Sequence, residues 1–292
     1  MTKAAVSVPA VETGVRISGR RRLLAGFARD STSVMGAVLV ALFVLAAIFA
    51  PVLAAHDPNT ADVVNKFSPP SRDHLLGTDH LGRDIFGRLL FGARLSIGAT
   101  VVTALGITIV GIVLGMLAGY VGGVVDSAIS RTIDILLGFP HLLLVLALIA
   151  LLGPGLRNIM LAYVVEAWAG YARIVRGAVL AEREKPYVEA ARALGASGSR
   201  ILRRHVLPNI VAPIVVYTTL DLGVILLGIS ALSFLGLGVQ PPTPEWGAML
   251  AEATSYLAVA PHAMFFPGAA IFLTVLGFNL LGDGLRDVLD PR

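Results

Sequence analysis

The sequence contains no cysteine, which excludes structural disulfides and thiolate metal sites. Charge is scarce: Asp, Glu, Lys and Arg make up 14% of the 292 residues, against about 25% in soluble globular chains. Lysine occurs only at Lys3, Lys66 and Lys185, and none lies in a Gly-x-x-x-x-Gly-Lys-Ser/Thr loop. Such a loop cradles phosphate with backbone amides and its lysine. The chain is therefore expected to hydrolyse no nucleotide, and any such energy must arrive from a partner. There is no His-Glu-x-x-His run and no nucleophile elbow, so no catalytic residue is expected either.

What is present is apolar. Hydrophobic residues make up 56% of the chain, more than a water-soluble fold of this length can hide, so lipid is the expected solvent. A helix needs about 20 apolar residues to cross the hydrocarbon core. Ser31–Ala55 carries no ionised group and follows a basic start with Arg16, Arg20, Arg21, Arg22 and Arg29. It is too long and too far in for a cleavable signal, and is expected to be the first transmembrane helix. Further spans are expected at Leu95–Val125, Ile135–Leu156, Asn158–Tyr171 (interrupted by Glu166), within Val206–Pro244, and at Ala253–Gly282. The expectation is an all-α integral membrane protein of about six transmembrane helices.

Basic residues near the spans set orientation. The N-terminal tail has six Lys/Arg, and the stretch Arg173–Arg204 has eight. This predicts a multi-pass protein of the cytoplasmic (inner) membrane, with both termini and that loop in the cytoplasm. Residues 1–30 are then a cytoplasmic tail, 31–55 the first helix, and 56–94 an extracytoplasmic segment with an amphipathic helix. Residues 95–284 form a five-helix core containing a cytoplasmic loop at 182–207, and 285–292 a short cytoplasmic tail. The 56–94 segment has five basic residues, offset by five aspartates. Gly106, Gly111, Gly115 and Gly119 recur about every fourth residue, a stripe that favours close packing on another helix.

The most informative stretch is Pro186–Pro208, PYVEAARALGASGSRILRRHVLP. Pro186 suits a first helical turn, and Tyr187, Val188, Ala191 and Leu194 share one face at helical spacing. Glu189 and Arg192 fall opposite and can pair. Gly195 ends this helix, and Ser197 or Ser199 can cap a second one. From the residues alone two readings stand: an interfacial helix pair with arginines on anionic headgroups, or a docking knob for a soluble partner.

Glu189-Ala190-Ala191, then three residues and Gly195, then nine residues and His205-Val206-Leu207-Pro208, resembles the EAA loop of ABC importer permeases. His205 stands where isoleucine is common, as in the peptide and nickel branch. LGTDHLGRDIFGRLLFGARLSI (Leu76–Ile97), LSFLGLGVQPPTPEWG (Leu232–Gly247) and NLLGDGLRDVLDP (Asn279–Pro291) resemble the C-type permease of dipeptide, oligopeptide and nickel importers. The resemblance covers residues 30–292 and implies a type I ABC importer (MetI-like) permease fold with a peripheral first helix. It implies a heterodimer with a second related permease, two ATP-binding subunits that hold ATP and Mg, an extracytoplasmic binding protein, and alternating access. The chain itself is expected to carry no cofactor, no metal and no nucleic acid. ATPase coupling would fall to Glu189, Ala190, Ala191, Arg192, Gly195, His205, Leu207 and Pro208. Peptide import leads. Nickel or another chelated metal is the alternative within the family, favoured by Ile229 standing where many peptide-branch relatives carry an acidic residue. A proton-coupled secondary transporter is the alternative outside it.

Ionisable residues inside a membrane are functional candidates. Glu166 and Asp221 are such residues, either lining a translocation path or joining helices by hydrogen bonds. Asp126, Arg131 and Asp134 read as a snorkelling or subunit-contact group. Asp79, Arg83 and Asp84 lie near Phe86, Leu89, Leu90 and Phe91, which suits a helix resting on the membrane. The sharper reading is a landing site for the binding protein, shared with Gln240 and Trp246. His56, His74, His80, His141, His205 and His262 are scattered with no pair at i, i+4, so no metal site is expected.

Overall fold

The computed structural model describes residues 30–289. The basic tail before residue 30 and the last three residues lie outside them.

Helix α1 (Ser31–Ile48) starts at Asp30, whose carboxylate accepts from Ser33 N at 2.9 Å. It runs into the short α2 (Ala50–Leu53). Helix α3 (Ile85–Val121) has 37 residues, roughly 55 Å of rise. The segment expected to hold a separate surface helix at 77–94 is instead a turn up to Asp84 followed by the first turns of α3. The cause is local: Asp84 caps Gly87 N at 2.7 Å, and nothing afterwards interrupts the helical run.

The expected third span is not one helix. Helix α4 (Gly123–Leu137) and helix α5 (His141–Leu152) meet at 94°. Pro140 disfavours helical geometry at Phe139, so the uncharged run breaks near its start. Twelve residues of α5 give roughly 18 Å, less than a full crossing. Helix α6 (Leu156–Arg183) follows, then α7 (Pro186–Ala193), α8 (Gly198–Ile201) and a π-helical turn at Leu202–Val206 leading into α9 (Leu207–Phe234). Helix α10 (Trp246–Thr254) is short, and α11 (Pro261–Leu289) closes the described chain, continuing helically through the first residues of the expected C-terminal tail.

Among the described residues four helical runs are long and apolar enough to cross a membrane: α1, α3, Gly198–Phe234 and α11. The bent pair makes up to five. Helix α6 has the length, with 28 residues, but carries Arg157, Glu166, Arg173, Arg176, Glu182 and Arg183. Two of its arginines are partnered from α4: Asp126 holds Arg176 at 2.5 Å and Asp134 holds Arg173 at 2.8 Å. Asp126 and Asp134 therefore tie α4 to α6.

Helices α3 and α6 form the most extensive pair. The glycine stripe makes this possible: a Cβ at Gly111 would lie 2.4 Å from the Cβ of Tyr171, and one at Gly115 would lie 2.6 Å from Ala172 O. The main core joins four helices through Ile107, Val145, Ile149, Ile159, Ile225 and Ile229. Helix α1 packs chiefly on α11, a peripheral position. Outward faces stay apolar, as at Val102, Ile109, Phe265 and Phe272, which suits lipid rather than water.

Candidate functional site

The loop between α6 and α9 is built as a lever with one seated face. Val188 of α7, Ile201 of α8 and Val206 of the π turn are buried against Val175 and Val179 of α6 and Ile210 and Ile214 of α9. Helix α7 ends in a Schellman turn: Ala196 N donates to Ala191 O and Gly195 N to Arg192 O, both at 3.0 Å. Gly195 has φ of +79°, the left-handed conformation that only glycine adopts without cost. Ser197 occupies the cap position of α8, but its hydroxyl lies beside Ser199 Oγ and caps no amide.

The opposite face is open. Glu189, Ala190, Arg192, Gly195 and Pro208 are exposed, while Ala191, His205 and Leu207 are half-buried. Glu189 forms no ion pair with Arg192 among the described residues, leaving its carboxylate available.

A polar knot fixes the loop to both helices. Tyr187 Oη donates to Glu182 at the end of α6 and accepts from Asn209 Nδ2 of α9 at 2.9 Å. Asn209 also donates to His205 O at 2.6 Å, and Lys185 Nζ lies 2.6 Å from Glu182. Burial alone would raise the Glu182 carboxyl, but the Lys185 ammonium and the Tyr187 hydroxyl outweigh it and hold it below the ordinary carboxylate value. Burial and the same carboxylate raise the Tyr187 phenol.

A second polar group lies within the bundle. Glu166 is buried on α6, with Oε2 2.5 Å from Nδ1 of His141 at the start of α5. Tyr171 of α6 donates to Asp221 of α9 at 2.8 Å. Glu166 sits ten residues into α6, roughly 15 Å of rise, near half the thickness of a hydrocarbon core. A groove of about 560 Å³ between α6, α9 and α11 reaches Tyr217, whose ring packs on Tyr171 at 4.8 Å.

The expected landing residues are mostly interior. Asp79, Arg83, Asp84 and Trp246 are buried, and only Gln240 is exposed. Arg83 bonds Asp79 at 2.6 Å and Glu252 at 2.5 Å. Arg88 reaches Glu252 at 3.3 Å and the carbonyls of Pro58 and Pro242 at 3.2 and 3.1 Å. Trp246 donates to Leu89 O at 3.0 Å. Two guanidiniums and two carboxylates withdrawn from water together offset the cost of burial by pairing with one another. They lock the loops 54–84 and 235–260 onto the start of α3.

Residues 111–292 match the family described as binding-protein-dependent transport system inner membrane component, and residues 20–70 match the N-terminal TM domain of oligopeptide transport permease C. The dipeptide transport system permease protein of Alkalihalophilus pseudofirmus is 41% identical over all of this chain and 96% of its own length. The chain belongs to the binding-protein-dependent, ABC importer permease family. This permease is also 45% identical to the glutathione transport system permease protein of Pectobacterium atrosepticum, and 47% identical to that of an Escherichia coli strain. Both matches span 91% of this permease, with 89% and 88% of the relatives covered. The fold of the permease resembles a chain of the inward-facing MetNI methionine ABC transporter. There the TM-score is 0.56 at 21% identity, over 69% of this permease and 96% of that chain.

The spacing of Glu189 to Pro208 pointed to the loop of the permease, and the structure brings these residues to one bent segment. Tyr187, Glu182 and Asn209 escaped notice because their partnership crosses from one helix to another. His141 beside Glu166 escaped for the same reason. So did two histidine–carboxylate groups whose ligand atoms lie within 4.8 Å of one another: His56–His74–Asp84 and Asp79–His80–Glu252.

Proposed function

We propose that this permease is one of two related subunits through which an ATP-driven importer moves small peptides, and that residues 182–207 receive the driving force. One observation carries the reading. A rigidly bent segment exposes Glu189, Ala190 and Arg192 on one side while its other side is buried against α6 and α9. A push on the exposed face must displace both helices, because Val188, Ile201 and Val206 leave no slack beneath it.

The force source is a pair of ATP-binding subunits that hold ATP and Mg, and Glu189 is the contact to them. The Gly195 bend sets the angle of that contact, with His205, Leu207 and Pro208 transmitting it into α9. Both termini and this loop face the cytoplasm, and the loops capped by Arg83 and Arg88 face outward, where a binding protein delivers the ligand. Closure of the ATP-binding pair tilts α6 and α9, opening the path outward, and hydrolysis returns it inward. Glu166 and Asp221 stand beside that path at mid-depth. Support comes from the groove that leads to Tyr217 and so to the Tyr171–Asp221 couple. Small peptides are the favoured cargo because the similar permeases named above serve dipeptide and glutathione transport systems.

The test is co-expression with the neighbouring ATP-binding subunits and binding protein. Glu189→Lys should leave the permease in the membrane yet abolish co-purification of the ATP-binding subunits and uptake of labelled dipeptide. Unchanged assembly and uptake would count against the reading.

A further inference from the structure

The outer loops contain one histidine–carboxylate group that the ion-pair network leaves free. His56 follows α2, His74 lies in the loop before α3, and Asp84 caps α3. The two imidazole rings lie 4.9 Å apart, and Asp84 Oδ1 is 3.0 Å from His74 Nδ1. Each residue offers a ligand atom within 4.8 Å of the other two.

The arrangement is held from outside the group. Asp84 is buried, and its second oxygen is fixed by Gly87 N at 2.7 Å, which aims Oδ1 at the histidines. His74 N donates to Ser71 Oγ at 3.1 Å. A Cβ at Gly87 would lie 3.1 Å from His56 O, so the missing side chain lets the His56 segment lie close to α3. No arginine pairs with Asp84 among the described residues. By contrast, Asp79 and Glu252 of the other group already neutralise Arg83 and Arg88, so a cation there would displace two buried guanidiniums.

We propose that His56, His74 and Asp84 bind one divalent transition-metal ion of the zinc class. Two imidazoles and one carboxylate are a borderline-soft donor set suited to such ions. Three protein donors leave one position for water, and exposed His56 gives access from solvent. The ion would staple the exit of the first helical segment to the cap of α3. It is a resident ion, independent of cargo and of ATP coupling.

The experiment is Zn²⁺ titration of the full chain, purified in detergent with its co-expressed subunits, followed by calorimetry and by the melting temperature. One equivalent should bind and raise the melting temperature. His56→Ala and His74→Ala should each weaken binding tenfold or more, a loss at least as large as that from removing a supporting residue. His80→Ala should bind as the parent does. His56 is exposed, so its replacement should leave the metal-free melting temperature unchanged. Equal Zn²⁺ binding by the parent and His56→Ala, no binding by the parent, or loss confined to His80→Ala would each overturn the proposal.

Discussion

The hydroxyl of Tyr187 donates to the carboxylate of Glu182 and accepts from Asn209, so one phenol joins the end of α6, the first turn of α7 and the start of α9. The 182–207 segment is thereby tied to α6 and α9, the helices that carry Glu166 and Asp221.

Tyr187→Phe removes both bonds and keeps the ring. The loss should be about 1 kcal/mol of local stability, since this tyrosine is partly exposed. Binding-protein-stimulated ATP hydrolysis should fall several-fold while subunit association persists. The check is ATPase activity in proteoliposomes, with and without loaded binding protein.

Gly195 holds φ of +79°. A side chain there costs about 1–2 kcal/mol, and asparagine bears that conformation best. Uptake should rank parent above Gly195→Asn, and Gly195→Asn above Gly195→Val. Equal uptake by the last two would show that the bend is not held at this residue.

The depressed Glu182 carboxyl gives a pH dependence. Because its folded value lies below the unfolded one, its stabilisation is complete above the ordinary carboxylate range. It is lost as pH falls through about 4 and below. Protease sensitivity of the 182–207 segment should rise on acidification in the parent, and Glu182→Gln should abolish that rise.

Arg83→Ala leaves Asp79 and Glu252 with a single guanidinium in a buried site. Breaking a buried pair costs about 3–5 kcal/mol, so the melting temperature in detergent should drop sharply. The exposed Gln240→Ala should leave it unchanged.

Much of this architecture was legible in the sequence, for identifiable reasons. The expected spans Ser31–Ala55 and Ala253–Gly282, which the structure holds as Ser31–Ile48 and Pro261–Leu289, stand out because lipid admits few charges, and composition alone then marks a span. The Gly111–Gly115–Gly119 stripe announced a close helix contact because only glycine allows it. The bend at Gly195 was readable because it is local. The break at Phe139–Pro140 was overlooked because hydropathy ignores backbone geometry, although Pro140 carried the signal. The burial of Arg83 was not legible because its partner Glu252 lies 169 positions away. Charge near a membrane surface looks the same in sequence whether it is solvated or neutralised inside. Sequence separation also hid His141 from Glu166 and His56 from His74.

Driving force from an ATP-binding subunit requires the α7 face to be cytoplasmic and covered by that subunit. The absence of cysteine makes this directly measurable. Ala190→Cys in intact cells should resist a membrane-impermeant thiol reagent. It should react after permeabilisation, and only once the ATP-binding subunits are stripped. Val64→Cys, in the loop before α3, should react from outside. Labelling of Ala190→Cys from outside in intact cells would contradict the account.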